Sequence, residues 1–101
     1  MENNLKEKIG GLVKIVQGLQ EPKGHVNYRE VDVSYGARYA KLYFVNAYGG
    51  GRSVHCFVDM TNGDILKASS WSAPAKGARG NVFNEDGGRN AVTRYGAIYM
   101  R

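Results

Sequence analysis

The sequence predicts an α+β fold in which an N-terminal helix packs on an antiparallel β-meander of about four strands, followed by a loop-rich C-terminal third. Three observations predict it. Apolar residues recur at helical spacing near the N-terminus, the apolar period changes to two after residue 27, and Asn62-Gly63 separates two of the alternating segments. A chain of 101 residues has room for one hydrophobic core, so we expect one domain over residues 1–101.

The first element is an amphipathic helix over residues 4–20. Its apolar stripe repeats at intervals of three and four residues and consists of Leu5, Ile9, Leu12, Val16 and Leu19. Gly18 and Pro22 mark its end. Gly10 and Gly11 each cost about 1 kcal/mol relative to Ala, so the helix depends on docking against the sheet. The same stripe could instead form the seam of a homodimer, although two and a half heptads are short for a coiled coil.

Four strands are predicted after the helix, because apolar and polar residues alternate there. Their ranges are 31–35, 38–48, 52–60 and 64–68. Gly49-Gly50-Gly51 supplies the turn between the second and third strands. Asn62-Gly63 predicts a type I′ turn between the third and fourth, since that turn needs positive φ at both central residues. The helix is expected to cover the face that carries Leu42, Phe44, Val54, Cys56, Val58 and Leu66.

The alternation ends after the fourth strand, and the last third of the chain is expected to consist mostly of loops. Residues 70–80 are interpreted as a loop with at most one helical turn, and residues 84–88 as another turn. The apolar stretch 91–100 fits an edge strand or a short helix. Its β-branched and aromatic residues favour the strand, and they are Tyr95, Ile98 and Tyr99.

Composition and charge restrict the function classes. Cys56 is the only cysteine, which excludes an internal disulfide and zinc sites built from paired cysteines. No apolar run approaches the roughly 18 residues of a membrane span and no signal peptide is evident, so we expect a cytoplasmic protein without a membrane partner. The net charge is +5, and residues 65–101 hold six Lys or Arg against two Asp or Glu. This asymmetry predicts either an anionic partner or a solvated basic surface that keeps the protein soluble.

No pattern for catalysis or a cofactor is evident, so we expect neither an enzyme nor a bound cofactor. The glycine-rich segments match neither a P-loop nor a dinucleotide-binding motif. His55 and Cys56 are adjacent on a strand, so their side chains are expected to point to opposite faces and not to pair as a catalytic dyad. Asp59 and Asp64 flank the predicted hairpin turn, where aspartates usually bond their own backbone, so no metal site is expected.

The sheet face opposite the helix is the first candidate binding surface. Its alternating residues are Tyr39, Lys41, Tyr43, His55, Phe57 and Lys67. Aromatic rings interleaved with cations suit single-stranded nucleic acid, because bases stack on the rings while phosphates meet the positive charges. The C-terminal segment or a second subunit could instead cover this face, since it would otherwise leave an adhesive apolar patch.

The second candidate is the segment 59–83, which combines the only tryptophan, Trp71, with basic and small residues. Glycine and alanine let a backbone approach a ligand closely, while Lys and Arg meet anionic oxygens. The alternative is a packing role, in which Trp71 and Pro74 fold the loop back over one end of the sheet.

Within this segment, ten residues form the pattern Gly-Asp-x-x-Lys-x-x-Ser-Trp-x-x-Pro-Ala-Lys-x-x-Arg-Gly. They are Gly63, Asp64, Lys67, Ser70, Trp71, Pro74, Ala75, Lys76, Arg79 and Gly80. The pattern resembles a segment of small bacteriophage-encoded proteins without a defined function. The resemblance implies a phage-related origin and a host cytoplasm, and it carries no catalytic assignment.

We therefore expect a small basic accessory protein that binds nucleic acid, single-stranded rather than double-stranded. The expected contact residues are Lys41, Tyr43, Phe57, Lys67, Trp71, Lys76, Arg79 and Arg89. The alternative is a protein-interaction module or inhibitor of a host factor, which would use the same surface on an acidic partner or bind a small anionic nucleotide.

Overall fold

An antiparallel sheet and one long helix form the framework of the molecule. The computed structural model describes residues 2–46 and 51–99. Its elements are α1 (Glu2–Gly18), β1 (Arg29–Tyr35), β2 (Tyr39–Asn46), β3 (Arg52–Asp59), β4 (Asp64–Ala68), β5 (Pro74–Asn81) and a 3₁₀ helix (Arg89–Ala91). The strands pair in chain order, each antiparallel to the next. The predicted α+β class and helix-on-meander arrangement are confirmed, with five strands in place of about four.

The apolar stripe of α1 faces the sheet, as predicted. Its buried residues are Leu5, Ile9, Leu12 and Val16. Leu19 packs against the same core from a half-buried position. Gln17 fixes the helix to strand β1, because its side-chain amide donates to the carbonyl of Arg29 at 3.0 Å and accepts from the N–H of Val31 at 2.8 Å. These bonds use backbone groups that an edge strand otherwise leaves unpaired.

Strand pairing assigns the side chains to two faces, because directly paired residues share a face. Leu42 pairs with both Val33 and Cys56 and lies in the core beneath α1. We call this side the inner face and the other side the open face. The predicted turn Gly49-Gly50-Gly51 lies outside the described residues except for Gly51, as do the last two residues of the predicted second strand.

A β-bulge interrupts the pairing of β2 and β3. Leu42 pairs with Cys56, whereas the next residue, Tyr43, pairs with Val54, so His55 is an extra residue on β3. Tyr43 stands on the open face, and its partner Val54 therefore stands there too. The prediction that Val54 shares the inner face with Cys56 was wrong, because strict alternation does not continue through a bulge.

His55 also departs from its predicted place on the open face. It is 2% exposed and packs edge-to-face against Phe44, with the ring centroids 5.4 Å apart. Its Nε2 lies 2.8 Å from the carbonyl oxygen of Thr93 in the C-terminal segment. Phe44 belongs to the core of the inner face. The bulge therefore moves the imidazole from the predicted binding surface into the interior.

The β3–β4 hairpin turns at Asn62-Gly63, as predicted, but the turn type differs. The loop comprises residues 60–63, and the carbonyl of Asp59 accepts hydrogen bonds from the N–H groups of Asn62 (3.4 Å) and Gly63 (2.8 Å). Gly63 has φ +83°, while no non-glycine residue of the described chain has positive φ. A type I′ turn needs positive φ at both central residues, so this turn is of another kind.

The register of this hairpin places β4 differently from the prediction. The pairs are Val58 with Ile65, Phe57 with Leu66, and Cys56 with Lys67. Ile65 is therefore the core residue, while Leu66 lies on the open face and Lys67 on the inner face. The predicted faces of Leu66 and Lys67 were wrong, because a loop with an even number of residues pairs odd-numbered positions with even-numbered ones.

Residues 74–81, predicted as a loop, form the edge strand β5. The prediction failed because these residues are mostly small and show no apolar alternation. Pairing with β4 is irregular at two points, and Gly77 has φ +95°. The 3₁₀ helix approaches this strand so closely that a Cβ on Gly80 would lie 2.6 Å from the Cβ of Ala91. The turn predicted over 84–88 is present.

Residues 91–99 form neither the predicted edge strand nor a helix beyond the 3₁₀ turn. One isolated bridge joins Val92 to Ala97. Both residues are buried in the core that also contains the stripe of α1. The segment therefore covers part of the inner face beside the helix, and its apolar residues pack from irregular backbone. Met100, the end of the predicted stretch, lies outside the described residues.

Candidate functional site

Four aromatic residues meet on the open face and form what we call the aromatic cluster: Tyr39, Tyr43, Phe57 and Trp71. Two edge-to-face contacts organise it. The rings of Tyr39 and Phe57 lie 6.1 Å apart, and those of Tyr43 and Trp71 lie 5.8 Å apart. Strand pairing keeps Tyr39 and Phe57 close together. Phe57 pairs with Lys41, which lies between Tyr39 and Tyr43 on this face of β2.

Trp71 reaches the cluster from the loop between β4 and β5. The N–H groups of Ser69 and Ser70 both donate to the carbonyl of Ala73, at 2.9 and 3.1 Å, which closes the loop tightly. The loop tip folds back over the sheet as far as β2, where the indole meets Tyr43. The side chain remains 39% exposed. Trp71 therefore packs on the sheet, as the packing alternative expects, and still presents ring surface to solvent, as a ligand-contacting role requires.

Three cations stand on or beside these rings. The Nζ of Lys41 lies 3.9 Å from the ring centroid of Trp71. The guanidinium of Arg52 lies 5.6 Å from the same ring and 5.7 Å from that of Tyr43, and the guanidinium of Arg38 lies 5.4 Å from the ring of Tyr39. In the described part of the chain, none of the three cations has a carboxylate within 4.0 Å. Their charge is therefore available to a ligand.

Acidic residues border the aromatic cluster on two sides, at Asp32 on β1 and at Asp59, which pairs with Tyr39 at the end of β3. Asp32 of β1 pairs directly with Tyr43, and the Tyr43 hydroxyl donates to its Oδ2 at 3.3 Å. Its other oxygen accepts the backbone N–H of Val33. Asp32 thus fixes the phenol of Tyr43 and makes β1 a negative margin of the surface. The cationic part lies over β2 and β3.

The structure brings Lys41, Tyr43 and Trp71 together, from the two candidate surfaces, and Phe57 lies next to them. Phe57 is only 3% exposed, so it forms the floor of the cluster and has no free ring face for stacking. Its predicted role as a stacking residue is corrected accordingly. Burial occurs because the side chains of Tyr39 and Lys41 extend over the ring.

Lys67 and Arg79 do not join this surface. Lys67 stands on the inner face, where its Nζ lies 3.9 Å from the ring centroid of Tyr99. The Nε of Arg79 donates to the carbonyl of Ile98 at 2.9 Å, and its Nη1 donates to carbonyls of its own strand. Arg79 therefore ties the C-terminal segment to β5 and leaves little of its guanidinium for a ligand.

Among the described residues, neither Lys76 nor Arg89 contacts a ring of the aromatic cluster. Lys76 is exposed on the edge strand β5. Arg89 begins the 3₁₀ helix and donates to the carbonyl of Val92 at 3.3 Å. As far as the structure describes the last third of the chain, its basic residues are spread over several elements and none contacts the ring of Trp71.

Arg38 and Arg52 were not among the predicted contact residues. Arg52 opens β3 and pairs with Val45, two positions beyond Tyr43, so it falls on the open face. Arg38 belongs to the turn that precedes Tyr39. The sequence contained a signal for Arg38, which directly precedes Tyr39, whereas the face of Arg52 depends on the register beyond the bulge.

His55 and Cys56 are both buried, and burial keeps both neutral. Desolvation lowers the pKa of His55 to about 4, and it raises the pKa of Cys56 to about 12. Because the Thr93 carbonyl can only accept, Nε2 of His55 carries the proton, and its Nδ1 has no hydrogen-bond partner among the residues that the structure describes. The prediction that the His55 and Cys56 side chains point to opposite faces assumed regular strand alternation, and the bulge interrupts that alternation. Neither side chain contributes to the open face.

Within 2–46 and 51–99, no three His, Cys, Asp or Glu side chains are grouped as a metal site would require. No helix in these ranges has the length and apolar character needed to cross a bilayer.

Comparison with known proteins gives a family without a known function. The model of a family of unknown function, DUF7717, matches residues 3–97. No curated protein and no solved structure matches the chain.

Proposed function

Because the chain belongs to the DUF7717 family, whose function is unknown, we propose a function from its own geometry: the protein binds single-stranded nucleic acid on the open face of its sheet. One observation carries the proposal. Trp71 is partly exposed, rests edge-on against Tyr43 and lies beside the ammonium group of Lys41. An exposed ring with cations at its margin is what a stacked base and its phosphate require.

The energies favour a base on Trp71 over the lysine that now occupies it. A cation over an exposed aromatic ring contributes about 0.5–1 kcal/mol. A stacked base contributes about 1–3 kcal/mol. A base that displaces Lys41 from the indole therefore gains more than it removes. The displaced ammonium group is then free to bind the phosphate of the same nucleotide.

The charge pattern defines a path for the strand. Arg38, Lys41 and Arg52 flank the aromatic cluster along β2 and β3, while Asp32 repels phosphates from β1. From Tyr39 to Val45 the strand β2 extends over about 20 Å, because residues in a strand rise about 3.3 Å each. A short single strand can follow this row. A duplex cannot use it equally well, since its bases are already stacked.

The proposed contact set differs from the one expected from sequence. Tyr43 and Trp71 stack on bases, and Lys41, Arg38 and Arg52 contact phosphates. Phe57 supports the rings from below. Lys67, Lys76, Arg79 and Arg89 take no part, because they lie on the inner face, on the edge strand or in the C-terminal segment.

The proposal includes a phage-related origin and action in a host cytoplasm. The resemblance of residues 63–80 to segments of bacteriophage-encoded proteins supports both. Fractionation of phage-infected cells that express the protein would test the location, and recovery with membranes or outside the cell would contradict it.

Intrinsic fluorescence gives a direct test, since Trp71 is the only tryptophan. The wild-type protein is titrated with a 20-nucleotide oligothymidine, a 20-base-pair duplex and poly-glutamate at several salt concentrations. We expect quenching of Trp71 by the single strand, weaker binding of the duplex, and an affinity that falls as salt rises, because bound cations release counterions from the strand. Trp71→Phe, followed by anisotropy of a labelled strand, should bind more weakly than wild type.

Two results would contradict the proposal. The first is no salt-dependent binding of the single strand near physiological ionic strength. The second is equal binding of poly-glutamate, which would favour an acidic protein partner, the alternative expected from sequence. Preferential binding of the single strand with quenching of Trp71 would support it.

A further inference from the structure

An open hollow of about 320 Å³ lies on the open face next to the aromatic cluster. The end of β1 and the β1–β2 turn bound it on one side, β2 and β3 form its floor, and the Trp71 loop bounds it on the other. The residues that matter for its chemistry are Ser34, Arg38, Lys41, Phe57 and Ser72. Its volume is at the lower end of the range for ligand pockets, which suits a group about the size of a nucleotide.

The hollow is lined by donors and positive charge. Arg38 and Lys41 supply two cations, and Ser34 and Ser72 supply two hydroxyl groups, while no carboxylate belongs to its described lining. Asp59 interacts electrostatically with Arg38, but its Oδ1 accepts hydrogen bonds from the N–H and the hydroxyl of Thr61, at 2.8 and 2.6 Å. The guanidinium of Arg38 is therefore left without an ion pair in the described structure.

We propose that this hollow binds the terminal phosphate of the nucleic-acid strand, an inference that rests on the proposed function of the open face. A terminal phosphate carries about −1.5 to −2 charges at neutral pH, whereas an internal phosphodiester carries one. Two cations and two hydroxyls match the more highly charged group and its three oxygens. The strand end, and not an internal position, is thereby recognised.

The position of Lys41 connects the hollow to the stacking site. Its ammonium group lies 3.9 Å from the ring centroid of Trp71, and the same side chain lines the hollow. A nucleotide stacked on Trp71 therefore places its phosphate within reach of the hollow. The β1–β2 turn bounds the hollow beyond Arg38, so the strand ends there instead of continuing along β2.

The test compares oligothymidine decamers that differ only at their ends. One carries a 5′-phosphate, one a 3′-phosphate and one hydroxyls at both ends, each with the dye attached internally. Anisotropy should show about tenfold tighter binding of one phosphorylated decamer, as expected for an added charge-assisted hydrogen bond. In Arg38→Gln this preference should disappear, so that the phosphorylated and hydroxyl-ended decamers bind with equal affinity. Lys76→Gln, on the edge strand β5 and outside the lining of the hollow, should retain the preference.

The outcomes separate the inference from the proposed function. If all three decamers bind wild type equally while binding still depends on Trp71, the terminal-phosphate inference fails and the proposed function stands. If Arg38→Gln weakens all decamers equally, Arg38 contacts an internal phosphodiester and the inference fails. If thymidine monophosphate competes at the same concentration as the decamer, the ligand is a free nucleotide and the inference fails. If no decamer binds, both fail.

Arg38→Lys is a control that separates loss of the Arg38 side chain from misfolding. It keeps the charge and lacks the planar fork of donors, so it should retain part of the preference for the phosphorylated end. Its urea midpoint, and that of Arg38→Gln, should equal the wild-type value, because the Arg38 side chain is exposed. A preference that survives unchanged in a folded Arg38→Gln protein would overturn the assignment.

Discussion

The two faces of the sheet carry ring pairs of nearly the same geometry in opposite surroundings. On the inner face, Phe44 meets His55 at 5.4 Å and 74°; on the open face, Tyr43 meets Trp71 at 5.8 Å and 69°. The inner pair is sealed between α1 and the C-terminal segment. The Tyr43–Trp71 pair is partly exposed, beside cations that form no ion pair with a carboxylate of the described residues. One packing geometry thus contributes to the core on one face and leaves ring surface exposed to solvent on the other.

The inner pair is reinforced by groups that leave no space for a ligand. The guanidinium of Arg29 stacks 3.8 Å above the ring of Phe44. His55 is anchored by the carbonyl of Thr93, and a Cβ on Gly96 would lie 3.1 Å from the carbonyl of His55. The C-terminal segment therefore covers the Phe44–His55 ring pair and forms part of the core.

The largest effect is expected from Phe44→Ala. Phe44 is 1% exposed, and truncation of a buried phenylalanine lowers the free energy of unfolding by about 3–5 kcal/mol, since a cavity remains. Urea denaturation followed by circular dichroism measures the loss. A loss below about 1 kcal/mol would mean that the inner ring pair is not sealed, and the contrast between the faces would fail.

The next effect concerns the pH dependence that His55 confers. The pKa of His55 is lowered to about 4 from an ordinary value of 6.5, first by desolvation. Because the unfolded chain binds this proton more readily, the contribution of neutral His55 is complete above pH 6.5 and is lost as the pH falls towards 4. The loss amounts to about 3 kcal/mol. Urea midpoints at pH 7.5, 5.5 and 4.5 measure it.

His55→Gln isolates this contribution, because glutamine keeps a donor for the Thr93 carbonyl and does not titrate. The variant should be less stable than wild type at pH 7.5 and should lose less stability in acid. Asp59 and Asp86, whose pKa values are lowered by hydrogen bonds, destabilise both proteins equally at low pH. His25→Gln, in an exposed loop, serves as the matched control. Identical pH profiles for wild type and His55→Gln would show that His55 is not buried as a neutral group.

The inner face could be predicted from sequence where side-chain spacing determines the structure. The stripe of α1 and the first four strands follow from periods of three to four and of two, and the Asn62-Gly63 turn follows from the glycine. The bulge at His55 could not be predicted, because Val54, Cys56 and Val58 continue a regular alternation straight through it. Strand β5 could not be predicted either, since backbone pairing alone defines it.

The open face could be predicted only in part. Alternation on β2 correctly placed Lys41 and Tyr43 together. The contribution of Trp71 depends on how its loop folds back, and the contribution of Arg52 depends on the register beyond the bulge, so neither follows from local pattern. Charge counts also misled, because the basic residues near the C-terminus, such as Arg79, serve backbone carbonyls. A net charge indicates how many cations exist and not where they lie.

Trp71→Ala should affect stability much less than Phe44→Ala. The side chain contributes one edge-to-face contact, worth about 0.5–1.5 kcal/mol, and cation contacts worth about 0.5–1 kcal/mol. We therefore expect the free energy of unfolding to fall by about 1–2.5 kcal/mol, measured in urea. A loss of 3–5 kcal/mol would show that Trp71 is a core residue, and the distinction between the two ring pairs would disappear.

The smallest effect on stability, and the most specific effect on binding, is expected from Arg52→Gln. The guanidinium is exposed and touches only ring faces, so the free energy of unfolding should change by no more than about 0.5 kcal/mol. If Arg52 contacts a phosphate, the slope of log affinity against log salt for a single strand should decrease by about one, because one fewer counterion is released. Lys76→Gln, equally exposed on β5, should leave the slope unchanged. The same decrease in both variants would mean that the nucleic-acid strand contacts basic residues over the whole protein surface. The open face would then bind phosphates no more than the edge strand β5 does.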